Sequence, residues 1–171
     1  ELAMWRRIGT SEHNMLVAQG NLAITYRHLG RHEEALLLRQ EVYSGHLKLN
    51  GEEHESTLIA ANNYAATLKK LQHFKDVKAL LREIISVAQR VLGESDQLTI
   101  RLRWNYAESL YKADGAALGD FREASAMFED MASTAQRTFG GAHPLVVDIG
   151  NELRNARAAL AAREAPVRGD A

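Results

Sequence analysis

The sequence predicts an all-α protein, a right-handed α-solenoid in which antiparallel helix pairs stack in an array. The first observation is that Asn21, Asn63 and Asn105 are equally spaced, and that the residues next to them recur at the same spacing. We call this spacing the repeat period. A fixed period of this length is typical of repeat proteins, in which each unit contacts only its neighbours. The second observation is that both prolines, Pro144 and Pro166, lie near the C-terminus, so none interrupts the preceding helical pattern.

The composition limits the classes of function. Of the 171 residues, 46% are hydrophobic and 25% are charged, the usual mixture for a folded globular protein. The net charge of −1 argues against binding to nucleic acid, which needs a clear positive excess. The absence of cysteine excludes disulfides and cysteine metal sites, and it favours a cytoplasmic location.

The first complete unit is predicted at residues 10–51. Apolar residues at helical spacing predict two helices, separated by Gly30-Arg31 and ended by Gly51. The residues expected to face inward are Leu16, Ala23, Tyr26 and Leu29 in the first helix, and Ala35, Leu38, Val42 and Leu49 in the second.

The second and third units are predicted at 52–93 and 94–140, with the same alternation of helices. Their turns are Gln72-His73 and a longer loop at 114–120, whose five extra residues lengthen the spacing before Gly140. Small side chains recur where paired helices must approach closely, at Ala23, Ala65 and Ala107. The other expected core residues are Tyr64, Leu68, Phe74, Val77, Leu81, Ile84, Tyr106, Leu110, Phe121, Ala124, Phe128 and Met131.

The two ends are predicted to differ from the complete units. Gly9 lies one repeat period before Gly51, which predicts a helix end there and a partial unit at 1–9. His143-Pro144 begins a last helix at 143–162 without a partner, which we interpret as a cap. The array would then span residues 1–163 and a polar tail residues 164–171. A chain that begins within a unit is expected to be part of a longer chain or a larger complex.

The repeated residues resemble those of a known family. The pattern Asn-Leu-Ala-x-x-Tyr-x-x-x-Gly-Arg-x-x-Glu-Ala at residues 21–35, Leu-Gly-Glu at 92–94 and His-Pro at 143–144 resemble the tetratricopeptide repeat in its longer, kinesin-light-chain-like form. The resemblance implies an adaptor that holds short peptide segments of partner proteins on its concave side. Glu152 and Arg157 depart from the pattern in the last unit, which fits a capping role.

A candidate peptide-binding surface lies on the first helix of each unit, away from the apolar stripe. At 100° per residue, Asn21 points away from that stripe, and so do the positions four residues before it and seven after it. An amide both donates and accepts hydrogen bonds, so it suits a peptide backbone, while neighbouring cations favour an acidic segment. The predicted binding residues are Asn21, Asn63, Asn105, His28, Lys70, Lys112, Arg101, Arg27 and Lys69.

Two alternatives remain open at this point. The asparagines would instead be structural if their amides bond backbone carbonyls of adjacent helices. The chain as a whole would instead be a structural subunit or scaffold if it docks in a larger assembly through its ends or convex face.

The sequence contains no pattern that indicates catalysis. It has no phosphate-binding loop, dinucleotide-binding glycines or nucleophile elbow. His28 and His32 have the spacing of a helical metal pair, but Gly30 between them should end the helix, and no further ligand completes a site. We therefore expect no enzyme activity, no catalytic residue, no metal site and no cofactor.

Overall fold

The computed structural model describes residues 2–165, with side chains from Glu12 onward. Over this range it contains seven α-helices and no strand, so the predicted all-α fold is confirmed. The helices are α1 Leu2–His28, α2 His32–Asn50, α3 Glu55–Lys70, α4 Phe74–Leu92, α5 Gln97–Tyr111, α6 Leu118–Phe139 and α7 Pro144–Glu164. Most of the predicted polar tail, and the side chains of the predicted partial unit, lie outside the described residues.

The helices form two compact units. The N-terminal unit ends at His73 and contains α1–α3, and the C-terminal unit begins at Phe74 and contains α4–α7. In the N-terminal unit α2 packs against both α1 and α3; in the C-terminal unit α5 packs against α4 and α6, and α6 packs against α7. These packed neighbours are joined by short loops, so they run antiparallel. The boundary between the compact units falls inside the unit predicted at 52–93, and that division by period stays a prediction.

Most predicted helix ends are found where glycines adopt left-handed backbone conformations. Gly51 and Gly140 follow α2 and α6 with φ of 83° and 81°, and their amides donate to carbonyls in the last turn of each helix. The loop predicted at 114–120 lies at 112–117 instead, because α5 ends at Tyr111 and α6 already begins at Leu118. The Asp120 carboxylate accepts a hydrogen bond from the backbone of Ala117 at 2.8 Å, which fixes this earlier start.

The helix end predicted at Gly9 is wrong, because α1 runs without interruption from Leu2 to His28. The glycines that end α2, α4 and α6 are each followed, three residues later, by a side chain that caps the next helix. These caps are His54, Asp96 and His143, which accept backbone hydrogen bonds from the first turns of α3, α5 and α7. The equivalent residue after Gly9 is Glu12, whose residue type is not a favoured N-cap. A glycine alone therefore permits a helix end but does not impose one.

The core confirms the predicted close approach of paired helices. Ala23, Ala65 and Ala107 are all completely buried. Two other predicted core residues in the N-terminal unit are exposed: Leu29 is 64% exposed because α1 ends before it, and Leu49 is 42% exposed beside an open pocket. Leu38, also expected to face inward, is only half-buried. The buried side chain of that turn is the neighbouring Arg39.

A cationic pocket in the N-terminal unit

One pocket in the N-terminal unit collects three of the nine predicted binding residues: Arg27, Asn63 and Lys70. Its volume is about 460 Å³, within the range of roughly 300–1,000 Å³ that ligand sites occupy. The remaining lining residues are His32, Arg39, Ala66 and Thr67. We refer to this set of seven residues as the cationic pocket.

Helical spacing explains why these residues meet. Asn63, Ala66, Thr67 and Lys70 are spaced three, four and seven residues along α3, so they share one face of that helix. His32 and Arg39 are two turns apart on α2 and likewise share a face. Arg27 lies in the last turn of α1. Because α2 packs against both other helices of the unit, the three faces meet around one space.

Arg39 is the most deeply placed charge in the pocket. Its side chain extends toward α1, since a Cβ added at Gly20 would lie 3.9 Å from the Arg39 Nη1 atom. The residue is only 9% exposed, and no hydrogen bond or ion pair joins it to any residue that the structure describes. Burial, and then the nearby charge of Arg27, lower the pKa of Arg39, so both effects oppose its positive charge.

The pocket carries positive charge that none of its own lining residues balances. Arg27, Arg39 and Lys70 each contribute one cation, and no carboxylate lines the space. The Asn63 side-chain amide and the Lys70 ammonium make no hydrogen bond within the described part of the chain. The Thr67 hydroxyl is already used, because it donates to the Asn63 backbone carbonyl at 2.9 Å. The available groups are therefore mostly donors, which suits an anionic ligand.

The other predicted residues of the N-terminal unit lie outside this pocket. Asn21 and His28 are exposed on α1, and the His28 Nε2 atom lies 3.5 Å from Nη2 of Arg27. Lys69 is half-buried and already has an interaction partner. Of these three, His28 is close enough to affect the pocket through Arg27.

The equivalent positions in the C-terminal unit are arranged differently. Lys112, predicted as a binding cation, forms ion pairs with Glu108 and, at 3.3 Å, with Glu152. Burial lowers the pKa of Lys112, but the bonds to the two carboxylates outweigh it and raise the pKa above its ordinary value. Trp104 donates to Glu108 at 2.8 Å, and the Tyr111 hydroxyl donates to Glu152 at 2.5 Å. This lysine is therefore neutralised by its own chain.

Asn105 and Arg101 complete the predicted set in the C-terminal unit. Asn105 is only 7% exposed and has an interaction partner of its own, whereas Arg101 is exposed on α5. Among the residues that the structure describes, no three His, Asp or Glu side chains lie close enough together to hold a metal ion. No helix in that part of the chain is long and apolar enough to cross a membrane.

The sequence pattern of the tetratricopeptide repeat matches residues 14–89 and 116–145, which together are more than half of the chain. The chain belongs to the tetratricopeptide repeat family. Tetratricopeptide repeats generally mediate interactions between proteins, and the fold family is non-enzymatic.

Solved structures of kinesin-light-chain-like proteins share the fold of this tetratricopeptide repeat chain. A kinesin light chain-like protein of Podosopora anserina with nearly identical TPR-like repeats is 23% identical, with a TM-score of 0.74, and the match covers 85% of this chain and 66% of that one. BtubC (BKLC) from P. vanneervenii is 18% identical, with a TM-score of 0.65, over 94% of this chain and 70% of that one. The chain thus spans slightly less than two thirds of the first of these proteins. No curated protein sequence matches it at a significant level.

Arg39 is the residue of the pocket that the sequence analysis missed, although the repeat contains a signal for it. One repeat period after Arg39 stands Leu81, and the longer spacing of the next unit leads from Leu81 to Phe128. Both are completely buried apolar side chains. Arg39 therefore occupies a core position of the tetratricopeptide repeat, where an apolar residue stands in the other two units.

A second comparison between repeats explains why the surroundings of Lys70 and Lys112 differ in charge. Ala66 of the cationic pocket and Glu108 of the C-terminal unit are separated by one repeat period, as are Lys70 and Lys112. In the C-terminal unit Glu108 pairs with Lys112 four residues later on the same side of the helix. In the N-terminal unit Ala66 leaves Lys70 without such a partner.

Proposed function

We propose that this tetratricopeptide repeat protein is an adaptor that binds an extended, acidic peptide segment of a partner protein. The binding face is the one that Asn63 and Lys70 share on α3, which is the concave face in the array expected from the sequence. The observation that supports this proposal most directly is the cationic pocket, with three formal positive charges and no lining carboxylate.

The pocket offers the peptide two different kinds of contact. The Asn63 amide can donate hydrogen bonds to a peptide backbone and accept hydrogen bonds from it, so it can hold an extended segment regardless of the side chains of that segment. Arg27 and Lys70 are exposed at the mouth of the pocket and attract acidic side chains. Because the cations have no carboxylate competing for them within the pocket, an acidic segment gains charge-assisted hydrogen bonds there.

Calorimetric titration with two short synthetic peptides, identical except that one has Asp and Glu where the other has Asn and Gln, tests the proposal. We expect the acidic peptide to bind more tightly. Asn63→Ala should weaken both peptides, by about 1–3 kcal/mol if the backbone contact is desolvated. Lys70→Glu should weaken only the acidic peptide, and added salt should reduce that difference.

Lys48→Glu is the matched control, because Lys48 is exposed near the far end of α2 and its replacement makes the same change of charge. It should leave both affinities almost unchanged. The proposal would be wrong if Lys48→Glu and Lys70→Glu had the same effect, or if Asn63→Ala lowered the melting temperature by many degrees while binding persisted. The second result would make the asparagines structural.

A structural subunit docked through another surface is the second candidate. It is favoured by an apolar pocket of about 270 Å³ between α1 and α2, at the opposite end of α2 from His32. Met15 and Leu49 line it and are 54% and 42% exposed. If Met15→Glu prevented incorporation into a larger complex while Lys70→Glu did not, this role would replace the adaptor role.

A further inference from the structure

Arg39 places a cation at a position of the repeat that is apolar in the other two units. At the same position of the repeat, Leu81 and Phe128 fill the core with apolar side chains. A charge placed there loses hydration, and it would normally be balanced by a carboxylate or a set of carbonyls. Arg39 has no such partner in the described part of the chain, and it faces the cationic pocket. The missing partner therefore has a place to bind.

The chemistry of the pocket indicates which anion fits best. Two guanidinium groups and one ammonium line the space, and they supply donors from α1, α2 and α3. A carboxylate carries one charge on two oxygens that lie in a plane. A phosphate monoester carries a charge of about −1.5 to −2 on three free oxygens that point in different directions. Of the two anions, the phosphate has more oxygens to face donors from three helices, and it alone balances more than one of the three cations.

The geometry of the donors agrees with this choice. Arginine presents its donors as a planar fork that binds phosphate oxygens in pairs, whereas lysine acts as a compact charge. The pocket combines both kinds with the unbonded Asn63 amide. Its volume of about 460 Å³ leaves room for a phosphate group together with water.

We propose that the cationic pocket binds a phosphate monoester carried on a side chain of the bound segment, with Arg39 as its buried anchor. This inference rests on the proposed function, because the phosphate belongs to a phosphorylated serine or threonine of the partner. The phosphate lies between the Arg39 guanidinium and the two exposed cations, Arg27 and Lys70. A partner segment would then bind tightly only after phosphorylation.

Three peptides of one sequence test the inference, with serine, aspartate or phosphoserine at a single central position. The intact chain should bind the phosphoserine peptide about tenfold or more tightly than the aspartate peptide, since charged hydrogen bonds to phosphate add both charge and geometry. Arg39→Gln should remove this preference while retaining weaker binding of both acidic peptides. Arg39→Lys should restore only part of it, because the fork is lost. Lys48→Gln, on the same helix, should change nothing.

Melting curves separate a binding role of Arg39 from a structural one. Without a ligand, Arg39→Leu should melt at the same temperature as the unmodified chain or higher, because it removes an unbalanced buried charge from a core position. Inorganic phosphate should raise the melting temperature of the unmodified chain and not that of Arg39→Leu. A large fall in melting temperature for Arg39→Leu would show that Arg39 supports the fold, and it would overturn the inference. If Arg39→Gln fails to fold, Lys70→Gln takes its place, because Lys70 is exposed and contributes little to the core.

The remaining outcomes distinguish this inference from the proposed function. Equal affinity for the phosphoserine and aspartate peptides would overturn the phosphate site and leave the acidic-peptide adaptor intact. Stabilisation by inorganic phosphate that depends on Arg39, without binding of any of the three peptides, would support a phosphate pocket and overturn the adaptor role.

Discussion

At the scale of single residues, the polar groups of the N-terminal unit differ in how they are balanced. At the surface, Gln19 on α1 donates to the Glu41 carboxylate on α2 at 2.8 Å, so each side chain has a partner. Arg39 has no comparable partner in the described part of the chain and faces the cationic pocket. His46 is also buried, at 7% exposure, and its environment opposes a positive charge. Of these two buried groups, only the histidine can lose its positive charge near neutral pH.

Because His46 is buried, we expect acid to destabilise the N-terminal unit. Burial, and then the charges of His13 and His54, lower the pKa of His46 below its ordinary value of 6.5. Its ring packs edge-on against His13, with centroids 6.1 Å apart, and its Nδ1 atom lies 3.1 Å from the Asn50 amide nitrogen. The unfolded chain therefore takes up a proton at higher pH than the folded chain does. The stability contribution is complete above about pH 6.5 and is lost as the pH falls through the folded pKa.

Denaturant unfolding at a series of pH values measures this effect. The free energy of unfolding should decrease as the pH falls below about 6.5, and His46→Gln should flatten that decrease. His28→Gln serves as the control, because His28 is exposed on α1 and its replacement should leave the slope unchanged. A slope that persists in full in His46→Gln would assign the acid sensitivity to other groups.

At the scale of the elements, the turns show how the repeat tolerates substitutions. Gly30, between α1 and α2, has a φ of 74°. Gln72, at the equivalent position of the next repeat, follows α3 and adopts nearly the same left-handed conformation, with a φ of 62°. The left-handed conformation costs a residue with a Cβ about 1–2 kcal/mol, and glycine avoids this cost. The turn at Gln72 keeps the backbone geometry of the turn at Gly30, although glutamine is unfavourable there, because the repeat imposes that geometry.

Gln72→Gly should therefore stabilise the protein. Relief of the backbone strain is partly offset by the greater freedom of glycine in the unfolded chain, so we expect a gain of roughly 0.5–1 kcal/mol in the free energy of unfolding. Gly30→Gln is the reciprocal variant and should destabilise by a similar amount. No atom lies within 4 Å of a Cβ placed at Gly30, so its cost comes from the backbone alone. Urea titrations of both variants measure the pair, and a loss of stability in Gln72→Gly would contradict the argument.

At the scale of the whole molecule, two copies of the same repeat have diverged in their charge balance. In the C-terminal unit the positions equivalent to Lys70 and Ala66 form a closed network, in which Glu108 and Glu152 neutralise Lys112. In the N-terminal unit the same positions leave a pocket with unbalanced positive charge. Copies of one repeat can therefore differ in charge balance while they keep the same helical fold.

Ala66→Glu tests this difference, because it introduces into the N-terminal unit the carboxylate that Glu108 provides in the other. The new glutamate lies four residues before Lys70 on α3, so it should pair with that lysine and reduce the positive charge of the pocket. We expect the affinity for the acidic peptide to fall about fivefold or more, since one unit charge at ~4 Å contributes about 1 kcal/mol in water. Calorimetry measures this effect.

Ala66→Gln is the matched control, because it adds a side chain of the same size without the charge. Ala66 is exposed, so neither variant should lower the melting temperature. Equal loss of affinity in both variants would indicate a steric effect and contradict the electrostatic explanation.

The sequence by itself determined the helices, because helix formation depends on local properties that the repeat displays three times. Apolar spacing predicted the buried Ala23, Ala65 and Ala107, and the repeated glycines predicted where most helices end. Gly9 shows the limit of the local signal, since a glycine without a following N-cap did not end α1. The nine predicted binding residues came from the same spacing, and three of them line one pocket.

Only the tertiary structure decided which of those residues lie together. Arg39 was not predicted, because the helical pattern places Leu38 inward equally well, and only the packing of α2 against α1 and α3 selects between adjacent residues. The neutralisation of Lys112 also depends on Glu152 from α7, which is distant in sequence. The repeat period shows which residue types recur along each helix. The charge balance in a pocket depends instead on distances between helices, and those are fixed only when the chain folds.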